Sequence, residues 1–95
     1  MKSNAYTVVI EKKVAKELRK IEQKQQEIIL SWIENILDGC ADPYDISGAK
    51  RLQGIENGVR YRIGKYRILA RIDNTRIVIS VFRIGHRNDV YRNVT

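Results

Sequence analysis

The sequence predicts an α+β fold in which two N-terminal helices pack on one face of a small antiparallel or mixed sheet, in the order β-α-α-β-β-β. Three observations carry that expectation. A short alternation of apolar and polar residues opens the chain, two stretches with apolar residues at helical spacing follow it, and three closely spaced runs rich in Val, Ile, Tyr and Arg fill the second half. The 95 residues, 43% of them hydrophobic, suffice for one globular domain, expected to span residues 1–95, and exclude a disordered chain.

Each element has its own signal. Tyr6, Val8 and Ile10 alternate with Thr7 and Val9, which predicts a first strand over residues 5–10. From Glu11 the period changes. Val14, Leu18 and Ile21 fall at i, i+4 and i+7 among Lys, Glu and Arg, the pattern of an amphipathic helix of about three turns. After the polar stretch Glu22 to Gln26, the residues Ile28, Ile29, Trp32, Ile33, Ile36 and Leu37 predict a second helix with a wider apolar stripe, with Trp32 in the core and Gly39 as C-cap. Residues 39–58 hold the only proline, Pro43, and the glycines Gly39, Gly48, Gly54 and Gly58, so they predict an irregular connection over one edge. At about 20 residues it exceeds most structureless loops, which points to a functional role or a short strand inside it.

Val59 to Ile63 then alternates apolar and basic residues, Gly64-Lys65 is a two-residue hairpin turn with Gly first, and Tyr66 to Ile72 returns antiparallel. Past Asp73-Asn74-Thr75, the nearly continuous apolar run from Arg76 to Ile84 predicts a central strand. Parity distributes the charges. If Val59, Tyr61 and Ile63 enter the core with Tyr66, Ile68, Ala70 and Ile72, then Arg60, Arg62, Arg67 and Arg71 share the opposite sheet surface.

The cationic charge is concentrated in that half. Nine of the ten arginines lie beyond residue 50; residues 1–49 carry 7 Lys plus Arg against 8 Asp plus Glu, net −1, and residues 50–95 carry 11 against 3, net +8. So many fixed guanidiniums on one face repel one another, which points to a polyanionic partner, RNA above all. One cysteine, Cys40, cannot form an internal disulfide, and one histidine, His86, gives no metal-ligand spacing, so neither metal nor cofactor is expected. Reduced cytosol is the expected compartment. The start, Met1-Lys2-Ser3-Asn4-Ala5, lacks a signal-type apolar region, and no apolar stretch approaches the roughly 20 residues that span a bilayer, so an unprocessed protein without membrane association is expected.

Arginine presents a planar fork of donors that matches phosphate oxygens and keeps its charge at physiological pH. Several such groups around one phosphodiester would stabilise the charge that accumulates in phosphoryl transfer without a metal, and in RNA the attacking group can be the substrate's own 2′-hydroxyl. The protein then supplies a proton acceptor and a donor, for which Tyr91 and Arg87 are candidates. A free tyrosine, with a pKa of about 10, is a poor base at neutral pH, but neighbouring arginines favour the phenolate. Blander readings stand beside these. The strand arginines could be a wet sheet face, although lysine would serve solubility as well and the first half is not similarly enriched. His86 alone reads as a surface or capping histidine, and Tyr91 has ring packing as its alternative. Lys12, Lys13, Lys16, Arg19, Lys20 and Lys24 are interspersed with glutamates and read as a solvated face, with a secondary RNA contact as the alternative.

The stretches Leu52-Gln53-Gly54, Gly58 to Leu69 (GVRYRIGKYRIL) and Gly85 to Arg92 (GHRNDVYR) closely resemble the RelE-type toxins of toxin–antitoxin modules, and the likeness follows the whole chain in element order. The resemblance implies an mRNA endonuclease that cleaves codons in the ribosomal A site, without metal, through 2′-hydroxyl attack. It implies that Arg60 and Arg62 bind the phosphate and assist the proton acceptor, Arg67 stabilises the transition state, Arg87 acts as general acid and Tyr91 activates the 2′-hydroxyl. Lys50, Arg51, Lys65, Arg71 and His86 are expected to add RNA contacts. Arginine stands at 60 and 62 where the family often has lysine, which keeps charge but shares a proton less readily, and the interval from Arg87 to Tyr91 is shorter than in some members. The implied partners are a cognate RelB-like antitoxin, the ribosome with its mRNA, and operator DNA reached through the antitoxin. Two rival functions remain open at this point: a ParE-like gyrase poison of the same fold, and an RNA-binding module without catalysis.

Overall fold

The strands and helices form in the expected order, with one short strand added. The computed structural model describes residues 5–92, so the lead-in Met1 to Asn4 lies outside the described residues. Its elements are β1 (Thr7–Ile10), α1 (Lys12–Arg19), α2 (Gln23–Trp32), β2 (Lys50–Arg51), β3 (Gly58–Ile63), β4 (Tyr66–Asp73) and β5 (Val78–His86). They make one five-stranded mixed sheet in the order β1-β5-β4-β3-β2, with β1 parallel to β5 and the other neighbours antiparallel. The run from Arg76 is therefore an interior strand, β5, although β4 holds the middle position. The short strand foreseen in the long connection is β2, which pairs Lys50 with Arg60 and Arg51 with Val59.

Both helices cover the same sheet face. Val14 and Leu18 of α1 and Ile29, Ile33 and Leu37 of the α2 region are buried against Val59, Tyr61, Ile68, Ala70, Ile72, Ile79, Val81 and Ile84. Each fully buried aliphatic side chain contributes about 1.5–3 kcal/mol, and this layer holds most of them. α2 begins earlier than its apolar stripe, because the Gln26 side-chain amide donates to Ile21 O at 2.7 Å and its backbone N–H to Glu22 O at 3.0 Å, so the polar residues build the first turn. After Trp32 the helix widens: Asp38 N–H donates to Ile33 O at 2.8 Å, five residues back, before Gly39 takes the left-handed φ of 87°. Only half of the expected stripe is buried. Ile29, Ile33 and Leu37 face the sheet, Trp32 is half-buried, and Ile28 and Ile36 remain exposed.

The opposite sheet face is not bare. Leu69, Phe82 and Val90 form a second buried cluster there, joined by Leu52 and Ile55 from the connection. A bulge makes this possible. Ala70 is opposite Val81 while Leu69 is opposite Arg83, so Phe82 is an extra residue whose ring joins Leu69. Gly58 is required beneath this lid, since a Cβ on it would lie 2.9 Å from Ile55 Cγ2. Among the described residues no helix is long and apolar enough to cross a membrane.

Tyr61 is fully buried, and its hydroxyl donates to Pro43 O at 2.6 Å, tying the connection to the core beside Trp32, whose ring centroid is 5.3 Å away. Burial pushes its phenol well above the ordinary tyrosine range, with Cys40, Tyr44 and Asp42 adding to the effect. Replacing Tyr61→Phe keeps the ring and leaves the Pro43 carbonyl unpaired. Urea unfolding is expected to show a loss of about 1 kcal/mol.

Candidate functional site

The site is set by the β3–β4 hairpin. Gly64 has φ 58°, which an L side chain adopts only with strain, and it closes the turn so that Ile63 is opposite Tyr66 and Arg62 is opposite Arg67. Directly opposed residues share a face, so Arg62 and Arg67 stand side by side, as do Arg60 and Lys50 one register step away. Like charges so placed cost up to about 1 kcal/mol per pair. Two such pairs adjoin on one face, the one turned away from the helices.

The C-terminal residues bring the remaining candidates to this hairpin. Arg87 N–H donates to Lys65 O at 2.8 Å, which pins residue 87 to the turn. Asp89 and Val90 N–H both donate to His86 O at 2.9 Å, and Arg92 N–H to Asp89 O at 3.1 Å, so the chain curls back over the sheet. Val90 is the anchor, 1% exposed between Leu69 and Phe82, and the next residue, Tyr91, emerges 48% exposed. Arg67 is fixed by its own hairpin, since its Nη1 donates to Gly64 O at 3.0 Å and to Tyr66 O at 3.1 Å.

The electrostatics link these groups. The Arg67 guanidinium is held below its ordinary pKa, first by partial removal from water, then by the Arg60 charge, with Arg62 and Arg87 acting the same way and Tyr91 opposing. Arg60, Arg62, Arg87 and Tyr91 therefore all lie within electrostatic reach of Arg67. Such a group of donors can hold a phosphodiester and stabilise extra negative charge on it, and Tyr91 offers a hydroxyl at its rim.

The outer candidates divide. Lys50 lies on the same face beside Arg60, and Lys65 is exposed in the turn under Arg87. Arg51, opposite Val59, is on the helix side of β2, with its guanidinium 4.4 Å from the Tyr44 ring centroid. Arg71 points to the arginine face but sits at its far end, opposite Gly58, 4.2 Å over the Phe82 ring and 3.9 Å from Glu11. His86 is opposite Tyr66, its ring edge-on to the tyrosine at 5.8 Å, and its Nδ1 accepts from Asn88 N–H at 3.2 Å, the capping role that a lone histidine suggested. Among the described residues no three His, Cys, Asp or Glu side chains are grouped to hold a metal ion.

Sequence reasoning missed the residues that seat the C-terminal turn. Arg83 Nη1 donates to Arg92 O at 2.6 Å and Val90 O at 3.2 Å, while its Nε is 3.5 Å from Glu17 Oε2 on α1. Glu17 Oε1 also accepts from Ile84 N–H at 2.9 Å, where β5 has run past the end of β1. A lone arginine inside an apolar strand and a lone valine in a polar tail were the available signals.

The sequence matches, over residues 8–91, the family model described as the ParE toxin of the type II toxin-antitoxin system parDE. A comparison with curated protein sequences finds no match. Similar solved structures include a chain of the toxin–antitoxin complex RelBE2 from Mycobacterium tuberculosis, with a TM-score of 0.73, 23% identity, and coverage of 87% of this chain and 99% of that one. The archaeal RelE–RelB complex from Pyrococcus horikoshii follows at 0.69, 22%, 90% and 99%. The intact RelBE complex of E. coli gives 0.68, 19%, 86% and 96%.

Substituting Arg83→Gln removes both carbonyl contacts while leaving Val90 in place. Hydrogen exchange is expected to speed up at least tenfold at the Asp89 and Val90 amides, with the amides of β3 and β4 unchanged.

Proposed function

Since the chain belongs to the ParE toxin family of type II toxin–antitoxin systems, within the RelE/ParE superfamily, and carries the fold of the RelE structures, we propose that it is a toxin that inhibits translation by cutting mRNA. It is an endoribonuclease that cleaves the codon in the ribosomal A site by metal-independent attack of the 2′-hydroxyl. The observation that supports this reading is the placement of Arg62 beside Arg67 on the sheet face that also bears Arg60, with Arg87 pinned to the same hairpin turn.

The chemistry follows from charge and position. The phenolate form of Tyr91 accepts the proton of the 2′-hydroxyl and becomes the neutral phenol, assisted by Arg60 and Arg62, whose charges hold the phosphate. The 2′-oxygen forms a bond to phosphorus, the bond to the 5′-oxygen breaks, and a 2′,3′-cyclic phosphate and a 5′-hydroxyl result. Arg67, held by two backbone carbonyls, stabilises the additional negative charge of the transition state without having to reorganise. Arg87, pinned to the turn, delivers the proton that the leaving oxygen requires. Lys50 and Lys65 extend the cationic surface along the RNA, whereas Arg51 and Arg71, each stacked on a ring, serve the phosphate less directly.

The partners follow from this reading. A RelB-like antitoxin would bind the toxin and block the arginines, and operator DNA would be reached through that antitoxin; the similar structures determined as RelE–RelB complexes support this. The ribosome is cytoplasmic, and so is the proposed site of action. The family description favours one rival, a ParE-like toxin that inhibits gyrase through a protein contact. That mode needs no cluster of guanidiniums around a tyrosine.

Primer extension on message from a translating extract is expected to show cuts at codons held in the ribosome. Arg67→Ala and Arg87→Ala are each expected to reduce cleavage by about 10²–10³-fold with the fold intact, because each removes charge used mainly in the transition state. Tyr91→Phe is expected to lose cleavage as well; retained activity would assign Tyr91 to packing alone. Intact message together with inhibited supercoiling would select the gyrase rival, and binding of RNA without any cut would select a non-catalytic module.

A further inference from the structure

The outer face of α1 carries only positive charge: Glu11 and Glu17 are engaged with arginines of the sheet, and the exposed Glu22 lies beyond the end of the helix. At 3.6 residues per turn, Val14 and Leu18 mark the buried side of the helix, and Lys12, Lys13, Lys16, Arg19 and Lys20 fall within roughly 120° on the opposite side; all five are exposed. The glutamates that should balance them in sequence do not. Glu11 points to Arg71 at 3.9 Å, and Glu17 is engaged with Arg83 at 3.5 Å and with Ile84 N–H at 2.9 Å. The apparent mixture of signs along the helix thus resolves into carboxylates drawn toward the sheet arginines and cations facing outward. This surface is separated from the arginine site by the sheet, since α1 packs on one face and Arg60, Arg62 and Arg67 project from the other. One phosphodiester cannot account for both.

We propose that the outer face of α1 docks on the phosphate backbone of double-helical RNA, as a second surface distinct from the one that handles the scissile strand. The face runs about 12 Å along the helix axis, enough to meet several phosphates of a duplex. It offers no aromatic ring on which an unpaired base could stack, which disfavours single strands. It also offers no apolar residue to fill a pocket, and lysine is depleted at protein interfaces, which disfavours an acidic protein. What remains is recognition by charge and shape, the mode by which duplex RNA is read. The inference rests on the nuclease reading for its biological setting: structured RNA surrounding the message would hold the toxin by α1 while the arginine face meets the codon.

The test uses the full chain with Lys12→Gln, Lys16→Gln and Lys20→Gln combined, substitutions that keep helix propensity. Fluorescence anisotropy with a blunt RNA duplex is measured over a salt series, beside a short unpaired oligonucleotide. The variant is expected to bind the duplex at least tenfold more weakly at low salt, with the slope of log K against log salt reduced by about 2 to 3, since three ion contacts are removed. Binding of the unpaired strand and the thermal midpoint are expected to stay as in the parent. An unchanged duplex affinity and slope would overturn the inference, as would an equal loss for duplex and single strand, or a loss confined to an acidic polypeptide probe. Ribosomal cleavage is read separately. A parent that cuts no message but loses duplex binding on substitution refutes the nuclease and keeps this surface; a variant that cuts at saturating concentration with unchanged half-maximal concentration does the reverse.

Discussion

The register of one hairpin governs the site. Because Gly64 closes a two-residue turn, Arg62 meets Arg67 across the strands, Arg60 follows on the same face, and Tyr66 and Tyr61 are left to the core. A shift of one residue would send the guanidiniums among Ile68 and Ala70 and the tyrosines to solvent. The apolar alternation therefore enforces the cationic one. The burial that stabilises the helix-facing layer also fixes where the charges must stand, and the mutual repulsion of opposed arginines is carried by that burial.

A second layer of control comes from the other side of the sheet. Val90 sits on Leu69 and Phe82, Arg87 is tied to Lys65, and Arg83 grips two carbonyls of the returning chain. Residues distant in sequence thus reach the hairpin by ordinary packing and backbone hydrogen bonds. Glu17 extends this arrangement to α1, because the same carboxylate holds Arg83 and the free N–H of Ile84. The ends of the strands, the helix and the tail are coupled through one half-buried guanidinium.

Much of this was legible beforehand. The period-2 and 3.6-residue patterns located β1, both helices and the three long strands to within a few residues, and parity placed Arg60, Arg62 and Arg67 together. Local sequence did not reveal what depends on long-range neighbours. The start of α2 came from a Gln26 side chain that binds Ile21 O, which no periodicity encodes. Arg71 shared the right parity yet is drawn off by Phe82 and Glu11, and Arg51 lies on the other face because β2 pairs it with Val59, a register that local sequence does not encode. The glutamates interspersed along α1 suggested a solvated face, since the sequence cannot tell which carboxylates are drawn to the sheet arginines.

The surplus residue in β5 has a consequence for how this chain can vary. Odd-numbered Ile79 and Val81 and even-numbered Ile84 all face the helices, so the strand changes phase once, at Phe82. Deleting that residue would restore an uninterrupted ladder and preserve which neighbours belong to which layer. It would also remove the ring on which Val90 rests and over which Arg71 lies. Relatives lacking the extra position would keep the architecture while needing another seat for the returning tail, so the location of the terminal tyrosine should drift among them more than that of the hairpin arginines.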